Sequence, residues 1–459
     1  MARAKKEAAL TPEERLQAAL VPDWEWPYKL PKNWCWTTVG TICDGFQYGY
    51  TEKATFEKIG PHFIRITDIG DGIINDSGAP YCKIDSDSFI KYKINKDDIL
   101  IARMGSVGEN GLATHNIDGV FASYLIRIVP RSNAKYVCNF LQTNLYWGQI
   151  SEKAQGTTRL NVNANVLKNL IIPLPPLAEQ QRIIDRIESL FAKLDEAKEK
   201  AQAVVDSFET RKAAILHKAF TGELTAKWRE EHGVEMESWH LRTIGEVCEN
   251  VKVGIVIKPS QYYVPQSEGT PAFRSANVRE CRIDDFDWVY LNEKGMKDNS
   301  RSIVHTGDVL VVRSGNPGTA CVVPERFDGY NAIDILIAVP NKKIIISDYL
   351  CYYTNSPLGK KTVEIGKRGI ALTHFNVKGF SQMPINIPTI PEQVVIVRTL
   401  SDLFAQEQQA KEAAEAVLDQ IELMKKSILA RAFRGELGTN DPNEESAVEL
   451  LKQLIRYNW

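Results

Sequence analysis

IPLPPLAEQQRIIDRIESLFAKLDEAKEK occupies residues 172–200, and a weaker copy, IPTIPEQVVIVRTLSDLFAQEQQAKE, occupies residues 387–412. The pair Glu179-Gln180 recurs as Glu392-Gln393, and the GEL of residues 222–224 recurs at the same separation as residues 435–437. A separation that stays constant from one end of the element to the other indicates a duplication of fixed length. Fixed length matters where an element sets a distance, so the chain is predicted to hold two similar halves on a spacer.

Apolar residues in both copies recur at alternating spacings of three and four residues, which is typical of helices that pack against another helix. Because both copies lie in one chain, helix 179–217 is predicted to pair antiparallel with helix 392–430. A coiled coil between two separate chains is the alternative. The predicted seam consists of Ile183, Ile187, Leu190, Leu194, Val204, Phe208, Ile396, Leu400, Leu403, Val417, Ile421, Met424 and Ile428.

Proline and glycine mark the two ends of each predicted helix. Pro175 and Pro176 precede the first helix and Pro388 precedes the second, where a fixed φ suits a helix start. Gly222 and Gly435 follow the helices, where a left-handed residue commonly ends a helix. Each helix is expected to span roughly 57 Å, at about 1.5 Å per residue.

The segments before the two helices also match each other. TTVGTIC (37–43) resembles RTIGEVC (242–248), and DDILIARMGSVGENGLA (97–113) resembles GDVLVVRSGNPGTACVV (307–323). These short alternating runs, cut by Gly, Asn and Asp, are typical of β-strands. The predicted fold class is α+β: two mixed α/β domains joined by two long helices that form an intramolecular antiparallel coiled coil with pseudo-two-fold symmetry.

The sequence predicts a linear order of seven segments. Thr11-Pro12-Glu13-Glu14 has the pattern of a capped helix start within the first of them. The expected segments are an N-terminal helical arm (1–30), a first mixed α/β domain (31–175), a first helix (176–224), a linker (225–238), a second mixed α/β domain (239–388), a second helix (389–437) and a C-terminal tail with a short helix (438–459). The two terminal pieces are expected either to close the ends of the coil or to dock a partner.

The composition is ordinary for a globular protein. The chain has 459 residues, 44% of them hydrophobic, a net charge of −2 and eight scattered cysteines. No apolar run reaches the roughly 18 residues of a membrane span, and the first residues lack the apolar core of a secretory signal. A cytoplasmic protein with free thiols is expected. The near-neutral charge argues against a general nucleic-acid coat and leaves room for local basic loops.

Sequence motifs for catalysis or metal binding are missing. There is no GxGxxG after a strand and no GxxxxGK[ST] loop. No [DNS]PP[YFW] tetrapeptide of the amino-methyltransferase type occurs, and the acidic–basic run from Asp287 to Lys294 fits solvated charge better than a nuclease core. The chain is therefore predicted to bind rather than to catalyse, with no metal and no cofactor of its own.

Two pairs of equivalent loops carry residues suited to DNA. In the first pair an arginine and a Gly-rich turn follow an apolar strand, so guanidinium and backbone N–H groups can approach phosphate or a guanine edge. In the second pair, polar loops carry hydroxyl groups and cationic side chains that can contact phosphates and bases. The alternative to a DNA-binding role is a plain tight turn for the first pair and a solvated loop for the second. The candidates are Arg103, Gly105, Ser106, Arg313, Ser314 and Asn316 in the first pair, and Thr157, Thr158, Arg159, Lys367, Arg368 and Thr373 in the second.

The paired PLPPLAEQQRI…LFAKLD and LHKAFTGELTAKW signatures, their weaker copies, and the opening LPKNWCWTTVGTIC resemble the specificity subunits of Type I restriction–modification systems. The resemblance spans residues 31–437. It implies a DNA-binding subunit whose two target-recognition domains each read one half of a split site on double-stranded DNA. It also implies two methyltransferase subunits as partners, with or without two restriction subunits.

The resemblance places S-adenosylmethionine, ATP and Mg²⁺ chemistry in those partners. The second copy departs from the signature after its GEL, because residues 438–443 replace the TAKWR of residues 225–229. The contact that closes this end is therefore open at the level of sequence. Two other functions also stay open: a stand-alone methyltransferase or nuclease with a cryptic site, and a coiled-coil scaffold without a DNA role.

Overall fold

The computed structural model describes residues 11–154, 160–368 and 375–456, with side chains described over 11–154, 160–363 and 375–456. The chain divides into two compact units. Unit 1 comprises Met1–Lys200 and Ala416–Trp459, and unit 2 comprises Ala201–Glu415. Each unit thus contains parts of both repeated helices, a division that cuts across the linear order expected from the sequence.

Unit 1 begins with a helix capped as the sequence predicts. Thr11 accepts a hydrogen bond from Glu14 N, and the Glu14 carboxylate accepts one from Thr11 N. The helices up to residue 206 are α1 Pro12–Ala19, α2 Val39–Ile42, α3 Ser86–Tyr92, α4 Ala134–Phe140, α5 Asn144–Lys153, α6 Ala164–Lys168 and α7 Leu177–Asp206. The strands are β1 Cys35–Thr38, β2 Cys43–Tyr48, β3 His62–Ile64, β4 Ile69–Gly70, β5 Gly72–Ile74, β6 Lys93–Ile94, β7 Ile99–Ala102, β8 Asn110–Leu112, β9 Ile117–Phe121, β10 Leu125–Pro130 and β11 Ile171–Leu174.

A six-stranded sheet in the order β2-β10-β7-β8-β5-β4 forms the centre of unit 1. A three-stranded sheet, β3-β9-β6, and the pair β1-β11 accompany it. Strand β7 is fully buried because its four residues, ILIA, are all apolar. The turn between β7 and β8 lies at the ends of these two inner strands.

Unit 2 repeats this plan with different loops. Its strands are β12 His240–Thr243, β13 Cys248–Val253, β14 Tyr263–Val264, β15 Thr270–Phe273, β16 Val278–Arg279, β17 Arg282–Ile283, β18 Val289–Leu291, β19 Val309–Val312, β20 Ala320–Val322, β21 Asn331–Ala332, β22 Ile335–Pro340 and β23 Pro384–Ile387. The remaining helices of the chain are α8 Phe208–Phe220, α9 Ala226–His232, α10 Ile244–Val247, α11 Glu293–Asp298, α12 Ser347–Asn355, α13 Pro357–Arg368, α14 Val377–Ser381, α15 Ile390–Ala432 and α16 Ala447–Arg456. The order β13-β22-β19-β20 reproduces the order β2-β10-β7-β8 of unit 1.

The long helices that the sequence predicts are confirmed, with one correction. The second copy is the single helix α15, whereas the first is divided at Ser207 into α7 and α8. Ser207 Oγ donates to Ala203 O, a local bond that competes with regular helix geometry. Gly222 and Gly435 have φ of 85° and 72°, so both take the left-handed conformation expected after a helix.

In unit 1 the two helices run antiparallel. Asp195 pairs with Lys425 at 2.6 Å, and a little further along the chain Lys198 pairs with Glu422 at 2.7 Å, so the partner number falls as the chain advances. The Lys425 ammonium also lies 5.3 Å from the Phe191 ring centroid. The repeated Leu-Phe-Ala of the sequence therefore supplies a ring for a lysine of the opposing helix.

In unit 2 the same relationship holds between other parts of the helices. Arg211 pairs with Glu407 at 2.7 Å, and Lys411 lies 4.9 Å from the ring of Phe208. Lys212 lies 6.0 Å from the ring centroid of Phe404. In the duplicated sequence Lys212 is equivalent to Lys425, and Phe404 is equivalent to Phe191, so both units contain the same lysine–phenylalanine contact. The helices again run antiparallel.

Burial along the helices departs from the predicted seam at two positions. Ile183, Ile187, Ile396, Leu400 and Ile421 are buried, and most other predicted seam residues are partly buried. Val417 and Met424 are 41% and 49% exposed, so these two assignments are wrong. Leu418 and Lys425 take the inward places instead. The inward positions Leu418, Ile421 and Lys425 are three and four residues apart, whereas the predicted positions around Ile421 are four and three residues apart, so both patterns have helical spacing.

The repeated Glu-Gln pair closes each unit. In unit 2 the buried Glu392 accepts hydrogen bonds from Arg229 Nη1 and Thr225 Oγ1, both at 2.6 Å, and from Trp239 Nε1 at 3.0 Å. Gln393 donates to Pro388 O at 3.0 Å and fixes the start of α15. The linker between α8 and β12 is thereby fastened to the first turn of the helix.

In unit 1 the C-terminal tail supplies the donors that bind the equivalent glutamate, Glu179. Glu179 accepts from Trp34 Nε1 and Asn440 Nδ2, both at 2.8 Å, and from Thr439 Oγ1 at 3.3 Å. Arg182 makes a two-pronged pair with Glu444, each bond at 2.7 Å. Residues 438–443 therefore provide the closing contact that the sequence left open, with neutral donors where unit 2 uses an arginine.

The two terminal helices also belong to unit 1. Helix α16 packs on α1, and its buried Leu451 and Leu454 join the main core. Of the two roles left open for the terminal pieces, the structure thus supports closure of this unit. No helix in the described part of the chain combines the length and the apolar character needed to span a membrane.

Each unit has two successive helices with a polar residue between them. In unit 1 these are α4 and α5, and in unit 2 they are α12 and α13. Thr143 caps α5 by accepting from Tyr146 N, and Ser356 receives the N–H of Gly359 on its hydroxyl. Side chains that compete for backbone groups end the first helix of each pair and start the second.

Candidate nucleic-acid interface

In unit 1 the Gly-rich loop is a tight hairpin between β7 and β8. Gly108 N donates to Ala102 O at 2.9 Å, and Glu109 N donates to Ser106 O at 3.0 Å. Gly105 and Gly108 have φ of 75° and 94°, a region that favours glycine. Met104, Gly105 and Ser106 are exposed at its tip. The turn role expected for this loop is therefore present, and it presents polar and backbone groups to solvent.

Arg103 is held at the base of this hairpin by an aromatic ring. Its guanidinium carbon lies 4.8 Å from the ring centroid of Tyr48, and its backbone N donates to Tyr124 O at 3.0 Å. Tyr48 OH in turn accepts from Ala164 N at 3.2 Å. Among the described residues no carboxylate pairs with Arg103. A stacked guanidinium keeps its in-plane N–H groups available to an acceptor.

Unit 2 has the equivalent hairpin with a different support. Gly318 N donates to Val312 O at 2.9 Å, and Gly315 and Gly318 have φ of 84° and 91°. Arg313 Nη1 lies 3.2 Å from Asp334 Oδ1, and Ser314 Oγ lies 3.3 Å from the other oxygen of that carboxylate. Asn316 is exposed at the tip. The second hairpin thus presents the Arg313 guanidinium paired with the Asp334 carboxylate.

The two arginines are supported from positions that are not equivalent. Tyr48 of β2 corresponds to Val253 of β13, and Tyr124 corresponds to Asp334. Asp334 adopts φ of 52°, which is uncommon outside glycine. The sequence showed the arginines but not their partners, because neither contact follows from periodicity.

The second candidate loop ends beside the first in both units. In unit 1 Val162 N donates to Arg103 O at 2.9 Å, and in unit 2 Phe375 N donates to Arg313 O at 3.1 Å. Val162 and Phe375 are separated by the same interval as the two copies of the long helix. The backbone of each arginine therefore anchors the residue that follows the second loop in the sequence.

Several candidates cannot be placed in detail. Thr157, Thr158, Arg159 and Thr373 lie outside the described residues. Lys367 and Arg368 fall in the last turn of α13, and their side chains also lie outside the described set. Two other polar residues of unit 2 have intramolecular partners: Lys252 Nζ donates to Ile303 O at 2.9 Å, and Tyr262 OH lies 3.4 Å from Asp298 Oδ2.

The two hairpins suit different hydrogen-bonding patterns. Arginine donates two parallel hydrogen bonds to the O6 and N7 acceptors of guanine, or to phosphate. Aspartate accepts from the amino group of cytosine. A stacked arginine alone and an arginine paired with an aspartate would therefore favour different base edges. Each hairpin thus places side chains that can hydrogen-bond to bases at the end of a rigid strand.

Comparison with known proteins gives a family match over most of the chain. Residues 37–205 and 236–417 match the family described as "Type I restriction modification DNA specificity domain". The two matched segments correspond to the two copies seen in the sequence, each with a sheet and the start of a long helix.

Relatives of similar length come from bacteria and an archaeon. The Type I restriction enzyme EcoKI specificity subunit of Escherichia coli K12 is 25% identical over 93% of this chain and 96% of its own. The StySPI specificity subunit of Salmonella potsdam is 25% identical over 89% and 90%, and a putative MjaX specificity subunit of Methanocaldococcus jannaschii is 24% identical over 89% and 95%.

Solved structures share the fold. The HsdS subunit of Thermoanaerobacter tengcongensis superposes with a TM-score of 0.60 at 20% identity, over 90% of this chain and all of that one. A chain from work on complex assembly and conformational transition of the type I R-M system superposes with a TM-score of 0.65, with the same identity and coverage.

Proposed function

Because the chain belongs to the family of Type I restriction–modification DNA specificity proteins, we propose that it recognises a split DNA site, with one half-site read by each unit. The observation that carries the proposal is the repeated hairpin, in which an arginine follows a buried strand and its backbone binds the residue that follows the second polar loop. Two copies of this hairpin with different side chains around the arginine suit two half-sites of different sequence.

The direct readout rests on Arg103 in one unit and on Arg313 with Asp334 in the other. Arg103 offers its N–H groups from a stacked position over Tyr48, 4.8 Å from the ring. Arg313 and Asp334 together form a donor and acceptor pair at 3.2 Å. Contacts from the exposed backbone of both hairpins to phosphate would fix the register without adding sequence information.

The antiparallel helices are proposed to set the gap between the half-sites. Half-site centres about one turn of DNA apart, roughly 34 Å, would let both arginine hairpins face the same side of the duplex. The constant separation between equivalent residues of the two copies supports a spacer of defined length.

The chain itself is proposed to recognise and not to catalyse. Methylation of adenine and ATP-dependent cleavage would belong to two methyltransferase subunits and to restriction subunits that assemble on it. A purified sample given labelled S-adenosylmethionine and DNA is expected to transfer no methyl group unless the methyltransferase partner is added. Methyl transfer by the chain alone would instead favour the enzyme alternative.

The spacer can be tested by lengthening both helices together. Seven residues inserted between Lys200 and Ala201, and seven between Glu415 and Ala416, add about 10 Å at about 1.5 Å per residue and keep the heptad phase. The assembled complex is then offered a DNA library with randomised gaps. We expect the preferred gap to lengthen by about three base pairs, at roughly 3.4 Å each, with both half-site sequences unchanged.

A matched control carries the insertion in one helix only. With one helix lengthened, the helix pairings of unit 1 and unit 2 cannot both keep their register. Either the unit 1 pairs Asp195–Lys425 and Lys198–Glu422 or the unit 2 pair Arg211–Glu407 must separate, so the control is expected to lower the melting temperature without selecting a new gap. An unchanged gap preference in the folded double insertion would assign the spacing to the recognition domains or to the partner subunits.

A further inference from the structure

Unit 2 contains two thiols in direct contact. Cys281 Sγ and Cys351 Sγ lie 3.8 Å apart. Cys281 is exposed in the turn between β16 and β17, while Cys351 is buried in α12. Asn355 Nδ2 lies 3.4 Å from Cys281 Sγ and 3.6 Å from Cys351 Sγ. No part of the proposed DNA readout uses these side chains.

Cys281 adopts a backbone conformation that favours glycine. Its φ is 57°, in the left-handed region that residues with a Cβ rarely occupy. The equivalent turn of unit 1, DIGDGII (68–74) against NVRECRI (277–283), has Gly72 at this place, with φ of 75°. A strained residue held by its surroundings is a reason to look for a function of its side chain.

Unit 1 shows that this scaffold brings the two positions within reach. Cys138 is the equivalent of Cys351 in the duplicated sequence, and its Sγ donates to Gly72 O at 3.3 Å. A Cβ built on Gly72 would lie 3.4 Å from Cys138 Sγ. Both units therefore hold one buried thiol of a pair, and unit 2 adds the second at the exposed turn.

The surroundings give the two thiols different acidities. The pKa of Cys281 is lowered overall. The hydrogen bond from Cys351 is the main cause, and the Lys212 ammonium and the Asn355 amide act in the same direction, whereas burial opposes them. Donation to Cys281 and burial raise the pKa of Cys351. For comparison, burial raises the pKa of Cys138 to about 12. Cys281 is thus the better nucleophile, because the thiolate is the reactive form.

Charged neighbours hold the turn in place. Glu280 pairs with Lys212 of α8 at 2.5 Å and also with Lys360 of α13. Cys281 N donates to Ala320 O at 2.9 Å, and the same oxygen accepts from Asn355 Nδ2 at 2.9 Å. Cys351 Sγ lies 3.4 Å from this oxygen. Ala320 closely follows Gly318, at the base of the Arg313 hairpin.

We propose that Cys281 and Cys351 form a reversible disulfide, in which Cys281 reacts first with a hydroperoxide and Cys351 resolves the product. The Cys281 thiolate attacks the peroxide oxygen, the O–O bond breaks, and with hydrogen peroxide the leaving hydroxide takes up a proton to become water. The Cys351 thiol then attacks the sulfenic sulfur, the S–O bond breaks, and a second water leaves. Two thiols lose two electrons and two protons, and the peroxide is reduced.

Formation of the bond requires a modest movement. The sulfur atoms must close from 3.8 Å to about 2.05 Å. The turn carrying Cys281 is anchored through Glu280 and Ala320 rather than through Cys281's side chain, so rotation of that side chain supplies part of the approach. The disulfide would join the β16–β17 turn to α12 beside the base of the hairpin.

The test uses the full chain and mass spectrometry, with no DNA. Reduced protein is treated with a stoichiometric amount of hydrogen peroxide, denatured, alkylated and digested with trypsin. We expect peptide 280–282 joined to peptide 344–360, two hydrogens lighter than their sum and separated again by dithiothreitol. The proposal is overturned if Cys281 proceeds to the sulfinic acid without that link, stays reduced, or joins a different cysteine.

Two variants test the assigned order. Cys281→Gly places the unit 1 residue in the strained turn, so it is expected to fold and to leave Cys351 reduced. Cys351→Ala is expected to stop at a sulfenic acid on Cys281, which dimedone traps. Oxidation of Cys351 in the first variant at the wild-type rate, or absence of the dimedone adduct from Cys281 in the second, would overturn the roles given to the two thiols.

Discussion

Arg229 Nη1 lies 2.6 Å from Glu392 Oε1, in a buried ion pair that fastens the linker of unit 2 to the first turn of α15. Glu392 is fully buried and the Arg229 side chain is 11% exposed. Arg229 also donates to Gly222 O at 2.6 Å and to Thr225 Oγ1 at 3.0 Å. The pair therefore joins the residue after α8, the linker and the start of the next long helix.

Arg229→Ala is expected to destabilise unit 2 by about 3–5 kcal/mol, because it leaves the Glu392 carboxylate buried without its cation. Hydrogen exchange under increasing urea, read on peptides of unit 2, measures this loss. The matched control is Lys227→Ala, which removes an 87% exposed lysine nearby in the same helix and should leave exchange unchanged. Equal exchange in both variants would contradict the assigned role of the pair.

Glu392→Gln and Glu179→Gln are expected to differ although the residues are equivalent. The first leaves the buried Arg229 unpaired, whereas the second faces the neutral donors Trp34, Thr439 and Asn440. A loss of net charge is more harmful where a buried cation remains. We expect a larger fall in thermal midpoint for Glu392→Gln. A larger fall for Glu179→Gln would mean that neutral donors depend on the charge more strongly than the arginine does.

The corrected seam predicts a contrast within one turn of α15. Ile421→Ala removes a buried side chain and is expected to cost about 2–5 kcal/mol, whereas Met424→Ala removes a half-exposed one and should cost well under that. Urea unfolding of the two variants, compared at equal protein concentration, measures the difference. If the Met424 variant were the less stable, the heptad phase read from the sequence would be right after all.

Arg103→Ala is expected to weaken recognition of one half-site by about 1–3 kcal/mol if the guanidinium contacts a base, and to relax selection at that position. Tyr48→Ala should have a similar but smaller effect, because it removes the ring that orients Arg103. Site selection from randomised DNA by the assembled complex provides the measurement, with Lys135→Ala, an exposed lysine of the same unit, as the control.

Arg313→Ala is expected to act on the other half-site only. Its loss also leaves Asp334 without a cation, so binding should fall more at low salt than for Arg103→Ala. The exposed Arg326 of the same unit supplies the matched control. Relaxed selection at both half-sites by one variant would contradict the assignment of one reader to each unit.

The sequence was sufficient for elements defined by spacing. Apolar residues three and four apart predicted the long helices, and the glycines at 105, 108, 315 and 318 predicted the two hairpins, because a positive φ restricts the choice of residue. The repeated Glu-Gln pair was visible as well. Its purpose was not, since the donors of Glu179 include Asn440, 261 positions away.

Contacts without periodicity were missed. Arg103 with Tyr48 and Arg313 with Asp334 join strands that only the folded sheet brings together. The break at Ser207 coincides with one local hydrogen bond, and Leu418 and Lys425 turn inward in place of Val417 and Met424 at spacings that are equally helical. Tertiary packing decided each of these, and no single stretch of sequence carries that information.

The division of the chain into units has a consequence for synthesis. Unit 2 is one continuous segment, whereas unit 1 is assembled from residues on both sides of it. A ribosome releases the first segment of unit 1, then the whole of unit 2, before Thr439 and Asn440 can reach Glu179 and before Phe433 can pack on Tyr136. Unit 2 can thus fold while the chain is still growing, and unit 1 must wait with an open edge. The N-terminal part of unit 1 is synthesised first but can complete its core only after the C-terminal part has been made. It is therefore the part of the chain that we expect a chaperone to bind during synthesis.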